Sequence, residues 1–342
     1  MLRRRVVFGA FALGVVITAA LSGIPGAGRA AQKNHAGTNQ GSGIVIELDN
    51  QFIDDYENRA TIESEFRIAD LSAVHKIGKS GDDGEVHIGG WAYEAGLACV
   101  AEVMNAANKG KKARLAFQKA LNAGQKVTVT GAWRLWCEHG GTTPQIQAKG
   151  TDPEFPLPGE YESNPDHVFE IHPVTTVKVG DTAVDATEAI GETPGYTYYD
   201  AQTAFLADYE TRACTLIKKG NRTRILTEPA RHNFAEFVIR LAEDPHELAD
   251  GHAAICSVYD TEGELVVRNR RMVFVKGTAA DVEVQGAKQG KRLKVIGMPR
   301  ISLKLVKWRI APERANETYD TDPLRWKLPY EVVILAAERV DD

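Results

Sequence analysis

Apolar and polar residues alternate with period two over residues 44–52, 61–70, 85–92, 126–137 and 166–177, which predicts five strands in the first half of the chain. Over residues 95–108 the spacing changes. Leu97, Val100, Ala101 and Met104 fall on one helical face, and a second helix is expected over 113–121. The second half opens with an expected helix over 201–219, with Phe205, Leu206, Tyr209 and Leu216 on its apolar side. Strands are then expected near 233–242, 252–259, 264–275, 291–309 and 330–340. Residues 276–290 are too short and too β-branched to predict a helix.

One pattern occurs in both halves. Gly124-Gln-Lys-Val-Thr-Val-Thr-Gly131-Ala-Trp-Arg134-Leu135 is matched by Gly290-Lys-Arg-Leu-Lys-Val-Ile-Gly297-Met-Pro-Arg300-Ile301. Both copies have Gly, a basic residue two on, apolar residues at the third and fifth positions, Gly at the seventh, Arg at the tenth and an aliphatic residue at the eleventh. Two similar domains follow from this: 44–177 and 201–342, joined by a Gly-, Pro- and acid-rich linker at 178–200.

A helix between the third and fourth of five strands resembles the OB barrel, a Greek-key architecture that binds oligonucleotides, oligosaccharides or proteins. The expected class is therefore mainly β with minor α: two OB-like five-stranded Greek-key barrels, each with an associated helix. Separately, Ser163-Asn-Pro-Asp-His167-Val-Phe-Glu-Ile-His172-Pro173 resembles sequences of exported bacterial proteins of unassigned function, mainly over 85–177. That resemblance implies a shared first domain and brings no activity with it.

Composition adds an address. Arg3, Arg4 and Arg5 precede an apolar run from Val6 to Leu21, a Gly-Ile-Pro-Gly break and a small-residue exit, so residues 1–30 are expected to be a cleaved signal peptide. Residues 31–43, polar and Gly-rich, are expected to be a flexible leader. The run is too short for a membrane span, so a periplasmic or secreted soluble protein is expected. Removing four arginines would change the net charge from −5 to −9. In an oxidising compartment the four cysteines suggest one disulfide per domain, Cys99 with Cys137 and Cys214 with Cys256.

The densest polar cluster joins Arg134, Trp136, Glu138 and His139 with Glu170 and His172. Strand alternation sets Arg134, Trp136, Glu138, Glu170 and His172 on one surface. They could take a divalent metal through Glu138, His139 and His172, or an anionic or sugar ligand through Arg134 and Trp136. The plainer reading is an ion pair between Arg134 and Glu170. The repeat favours the pair, because Arg300 and Glu331 stand in matching places with no histidine beside them.

His246-Glu-Leu-Ala-Asp-Gly-His252 has the wrong histidine spacing for a zinc protease helix and reads as a turn. Charge is segregated: residues 264–309 hold twelve basic and three acidic residues, whereas residues 152–210 hold thirteen acids and Lys178. With Arg300 and Trp308, the basic half suits an anionic glycan, an envelope polyanion or a protein; the expected compartment argues against nucleic acid. A binding or interaction module without a cofactor is the main expectation. The alternative is a metal-dependent hydrolase built on the His/carboxylate cluster.

Overall fold

The computed structural model describes residues 43–77, 83–141, 143–152, 163–311 and 325–340. The expected signal peptide lies outside these, as does the leader up to residue 42. The described residues belong to one compact unit.

Among the described residues the first elements are β1 (Ile44–Asp49) and α1 (Asn50–Tyr56). Barrel 1 is built from β2 (Thr61–Leu71), β3 (Val86–Ala92), β4 (Leu97–Val103), α2 (Lys111–Asn122) and β5 (Val127–Leu135), then, beyond the short β6 (Gln145–Ile146), from β7 (Phe169–Val179). The hairpin strand β8 (Thr182–Asp185) extends its edge. A connecting region contributes β9 (Tyr199–Asp200), a π-helical segment (Gln202–Tyr209), β10 (Ala213–Lys219) and β11 (Arg222–Thr227). Barrel 2 is built from β12 (Ala235–Leu241), β13 (His246–Leu248), β14 (Gly251–Tyr259), β15 (Leu265–Val275), α3 (Ala279–Val284) and β16 (Arg292–Ile301). It ends with α4 (Leu303–Arg309), β17 (Arg325–Lys327) and β18 (Tyr330–Arg339).

Both barrels close in the same way. In barrel 1, β2 pairs with β3 and β5, β3 with β4, β5 with β7, and β4 closes on β7 in parallel. In barrel 2, β12, β14, β15, β16 and β18 repeat that plan, with β15 parallel to β18. This is the five-stranded Greek-key order of the OB fold. A third sheet, ordered β17-β10-β11-β1-β6, joins the first strand to the connecting region. Each barrel lends it an edge strand from the loop before its last strand.

Four expectations fail, the first because its strand is buried on both faces. Residues 97–103 form β4, every residue of which is buried, so an unbroken apolar run mimicked helical spacing. The predicted helix over 201–219 stops at Tyr209, and Cys214 and Leu216 alternate inward from β10. Conversely, 276–290 does contain a short helix, α3, capped by the Thr278 hydroxyl, which accepts from the Asp281 N–H. The strand expected over 291–309 ends at Ile301 and continues as α4, with Ser302 as its N-cap.

The glycines of the repeat now have a cause. Register shifts fall at Gly131 in β5 and at Gly297 in β16, where each fourth strand bends against the last. A Cβ on Gly131 would sit 2.5 Å from the Pro173 carbonyl oxygen; one on Gly297 would sit 2.6 Å from a Val332 methyl. Only glycine permits that approach.

Candidate functional site

The ends of both repeat copies meet. Arg134 pairs with Glu170 and Arg300 with Glu331, at matching register positions, and all four side chains are buried. Each arginine also reaches across the barrels to the residue before the other. Arg134 Nε donates to the Pro299 carbonyl at 3.1 Å, and Arg300 Nη1 donates to the Trp133 carbonyl at 2.9 Å. Arg300 further donates to the carbonyls of Ala60 and Arg59, and its guanidinium lies 3.6 Å from the Trp133 ring centroid. The repeat is thus a reciprocal clasp between barrels. Neither arginine is open to a ligand.

Around Glu170 the outer face of barrel 1 carries a ring of histidines and carboxylates. His172 Nε2 lies 3.1 Å from Glu85 Oε1, and its Nδ1 lies 3.3 Å from Glu102 Oε2 and 3.5 Å from Glu170 Oε2. His87 Nε2 is 3.2 Å from Glu102, His167 Nε2 is 3.5 Å from Glu170, and His75 Nδ1 is 3.1 Å from Asp83. Arg134 Nη2 donates to Glu138 at 3.2 Å. A pocket of about 280 Å³ opens beside the ring, bordered by His87, Glu102, Glu138 and His139 and covered by Tyr196 and Phe234 of the connecting region.

The ring's electrostatics are uneven. Burial pushes the Glu85 carboxyl well above the usual range, and Asp83 adds to it. Burial acts on Glu102 too, but His172 and His87 outweigh it and hold that group below the usual range. Burial would lower His172, yet Glu102 and Glu85 raise it well above an ordinary imidazole. Glu138 is pushed up to about 7, mainly by burial and against the pull of Arg134. Neighbouring carboxyls driven in opposite directions are a feature of functional sites.

The expected metal set, Glu138, His139 and His172, is not brought to one point. Among the described residues the donors gather in three other groups: Glu85, Glu102 and His172; His139, His167 and Glu170; and His75, Asp83 and His87. Trp136 does not face a ligand either. It is 1% exposed and packs edge-on against Tyr209 at 5.6 Å, because the connecting region covers a face assumed to be wet. The disulfides expected of Cys99, Cys137, Cys214 and Cys256 are not formed: all four are free, buried thiols.

In barrel 2 a cleft of about 580 Å³ lies on the face made by β14, β15, the loop after β12 and the segments flanking the last loop. In OB barrels, strands two and three with these loops form the binding face. Its walls include Ile255, Leu305, Trp308, Leu328 and Pro329, with Trp308 half exposed. Arg271 lines it too. That side chain is 7% exposed; its Nη1 donates to Glu331, while Nε and Nη2 are buried without hydrogen-bond partners. Several other basic residues of 264–309 are paired internally, among them Arg270 with Glu210, Lys294 with Glu236 and Lys307 with Asp54 and Glu57. The expected turn at 246–252 is a β13–β14 hairpin.

No family model and no curated relative matches the chain. Among solved structures it is similar to the wild-type single-stranded DNA binding protein from Thermus aquaticus, at 10% identity and a TM-score of 0.20, over 83% of this chain and 95% of that one. The OB architecture rests on the strand pairings themselves. Among the described residues no helix is long and apolar enough to cross a membrane.

Proposed function

We propose that this protein is an exported binding module, directed out of the cytoplasm by residues 1–30, that holds an anionic glycan in the cleft of barrel 2. The observation that carries this reading is Arg271, which lines a cleft on the OB binding side and whose buried Nε and Nη2 have no hydrogen-bond partner. A buried donor left unmade costs about 1–3 kcal/mol, which a carboxylate or phosphate would recover. Beside it, Trp308, Leu305 and Pro329 offer the apolar surface on which a sugar ring packs.

Calorimetric titration of the mature protein with an acidic oligosaccharide, oligogalacturonate, tests this. Arg271→Ala should weaken binding roughly 10- to 100-fold, the value of a charged hydrogen bond. Trp308→Ala should weaken it while leaving the fold intact, since that side chain is half exposed. No binding by the wild type, or tighter binding of a single-stranded oligonucleotide, would overturn the glycan.

A further inference from the structure

The ring in barrel 1 plays no part in that reading, and the fold does not require it. Barrel 2 closes the same strands with apolar residues at the matching positions. His172 stands two residues after Glu170, and Val333 two after Glu331. On the neighbouring strands, Glu102 pairs with His87, whereas Val273 pairs with Ala253 and with Val333. Glu85 stands two residues before His87; Gly251 stands two before Ala253. A buried ion network is a poor source of stability compared with apolar packing of the same volume, so its presence in one barrel alone points to use.

We infer that Glu85, Glu102 and His172 form a binding site for one divalent transition-metal ion of the zinc type. One donor atom from each residue lies within 4.8 Å of the others, and the three side chains are between 0% and 5% exposed. Tetrahedral coordination at about 2.0–2.2 Å places donors about 3.4 Å apart, within reach of small side-chain rotations. Two donor atoms are already unspent. Glu85 Oε2 is buried with no hydrogen-bond partner, and His172 Nδ1, although 3.3 Å from Glu102, makes no hydrogen bond either.

An imidazole among carboxylates selects zinc-type ions over magnesium or calcium, and the absence of a thiolate from the set disfavours copper(I). His87 on Glu102 supplies an outer contact of the kind that orients such ligands. Glu102 also borders the 280 Å³ pocket, which gives an ion a route in.

The test is equilibrium dialysis of the mature protein, freed of metal by chelator, against Zn²⁺, with bound metal counted by mass spectrometry. One Zn²⁺ per chain is expected, with Mg²⁺ not competing. Glu85→Gln and Glu102→Gln should each weaken uptake at least tenfold while circular dichroism stays that of the wild type. His75→Gln, in the adjoining group, should change it less than threefold. His172→Val, which writes the barrel 2 residue into barrel 1, should abolish uptake; should it fail to fold, the two glutamine variants still decide. Folded wild type that takes up no Zn²⁺, uptake indifferent to both glutamine variants, or uptake lost only with His75→Gln would each overturn the assignment. None of these outcomes bears on the barrel 2 cleft.

Discussion

Barrel 1 surrounds its buried arginine–glutamate pair with Glu85, His87, Glu102 and His172, whereas barrel 2 surrounds the same pair with Gly251, Ala253, Val273 and Val333. In barrel 2 Ala253, Val273 and Val333 belong to an apolar cluster that reaches across to Ala60, Met104 and Ala132 of barrel 1. The lesson is a division of labour. The frame of strands, bulge glycines and clasping arginines is shared, and its outer face is free to be a polar ring in one copy and a packing surface in the other. The two proposed sites then diverge as well, towards an acidic ring in barrel 1 and, in barrel 2, a cleft lined by Arg271, whose Nη1 is paired with Glu331 and whose Nε and Nη2 have no hydrogen-bond partner.

The clasp is where the comparison breaks most sharply. Arg300→Met leaves Glu331 facing Arg271 and Ser302 alone and deprives three barrel 1 carbonyls of a donor, although that of Arg59 keeps Trp133 Nε1. Removing one partner of a buried pair costs about 3–5 kcal/mol. Arg134→Met should cost less, because His167 and His172 remain beside Glu170 and only one carbonyl across the interface loses its donor. Urea unfolding at neutral pH measures both. Equal losses would mean that the two arginines do not differ as the contacts indicate.

The two arginine–glutamate pairs were legible in the sequence because a twelve-residue pattern repeats and the glutamates stand in matching strands; the reach of each arginine to the other barrel was not. The rest was hidden by burial on both faces, by distance along the chain and by pairing that no local pattern reports. Glu102 lies in Leu-Ala-Cys-Val-Ala-Glu-Val, which reads as a helix unless the lone glutamate in an apolar run is taken as the signal. Glu85 and His87 are far in sequence from His172, and only the parallel closure of β4 on β7 brings the three strands together. Arg271 sat unnoticed among many basic residues, since its distinction is two buried nitrogens without partners and not its position.

The bulge glycines sharpen the comparison at a finer scale. Gly131→Ala drives a Cβ into the Pro173 carbonyl and an Ile171 methyl at 2.5 and 2.7 Å, both held by the ladder or the core. Gly297→Ala meets a Val332 methyl at 2.6 Å and the Val333 carbonyl only at 3.2 Å, so a side chain can give way. Overpacking of this kind costs about 1–3 kcal/mol, and the first substitution should lie at the upper end and the second at the lower. Melting temperatures of the two variants would order them, and the reverse order would show that β16 is the stiffer strand.

The smallest effect concerns the turn before the second strand, where barrel 2 has Asp250 and barrel 1 has Gly84. Asp250 accepts from Arg59 Nε, the Ala60 and Thr61 N–H groups and the Thr61 hydroxyl, at 2.7–2.9 Å, tying barrel 2 to the first strand of barrel 1. Burial alone would raise this carboxyl, but those donors outweigh it and hold it below the ordinary value. The unfolded chain therefore takes up the proton first as pH falls, from about 3.9. The carboxylate's contribution is complete above that value and is lost as pH falls towards the native one. Asp250→Asn should cost about 1–2 kcal/mol at pH 7, the scale of charged hydrogen bonds exchanged for weaker neutral ones. Its unfolding midpoint in urea should approach that of the wild type as pH is lowered to 4 and below. A gap that stayed constant over this range would show that the carboxylate's charge contributes nothing, and that the turn is held by its shape alone.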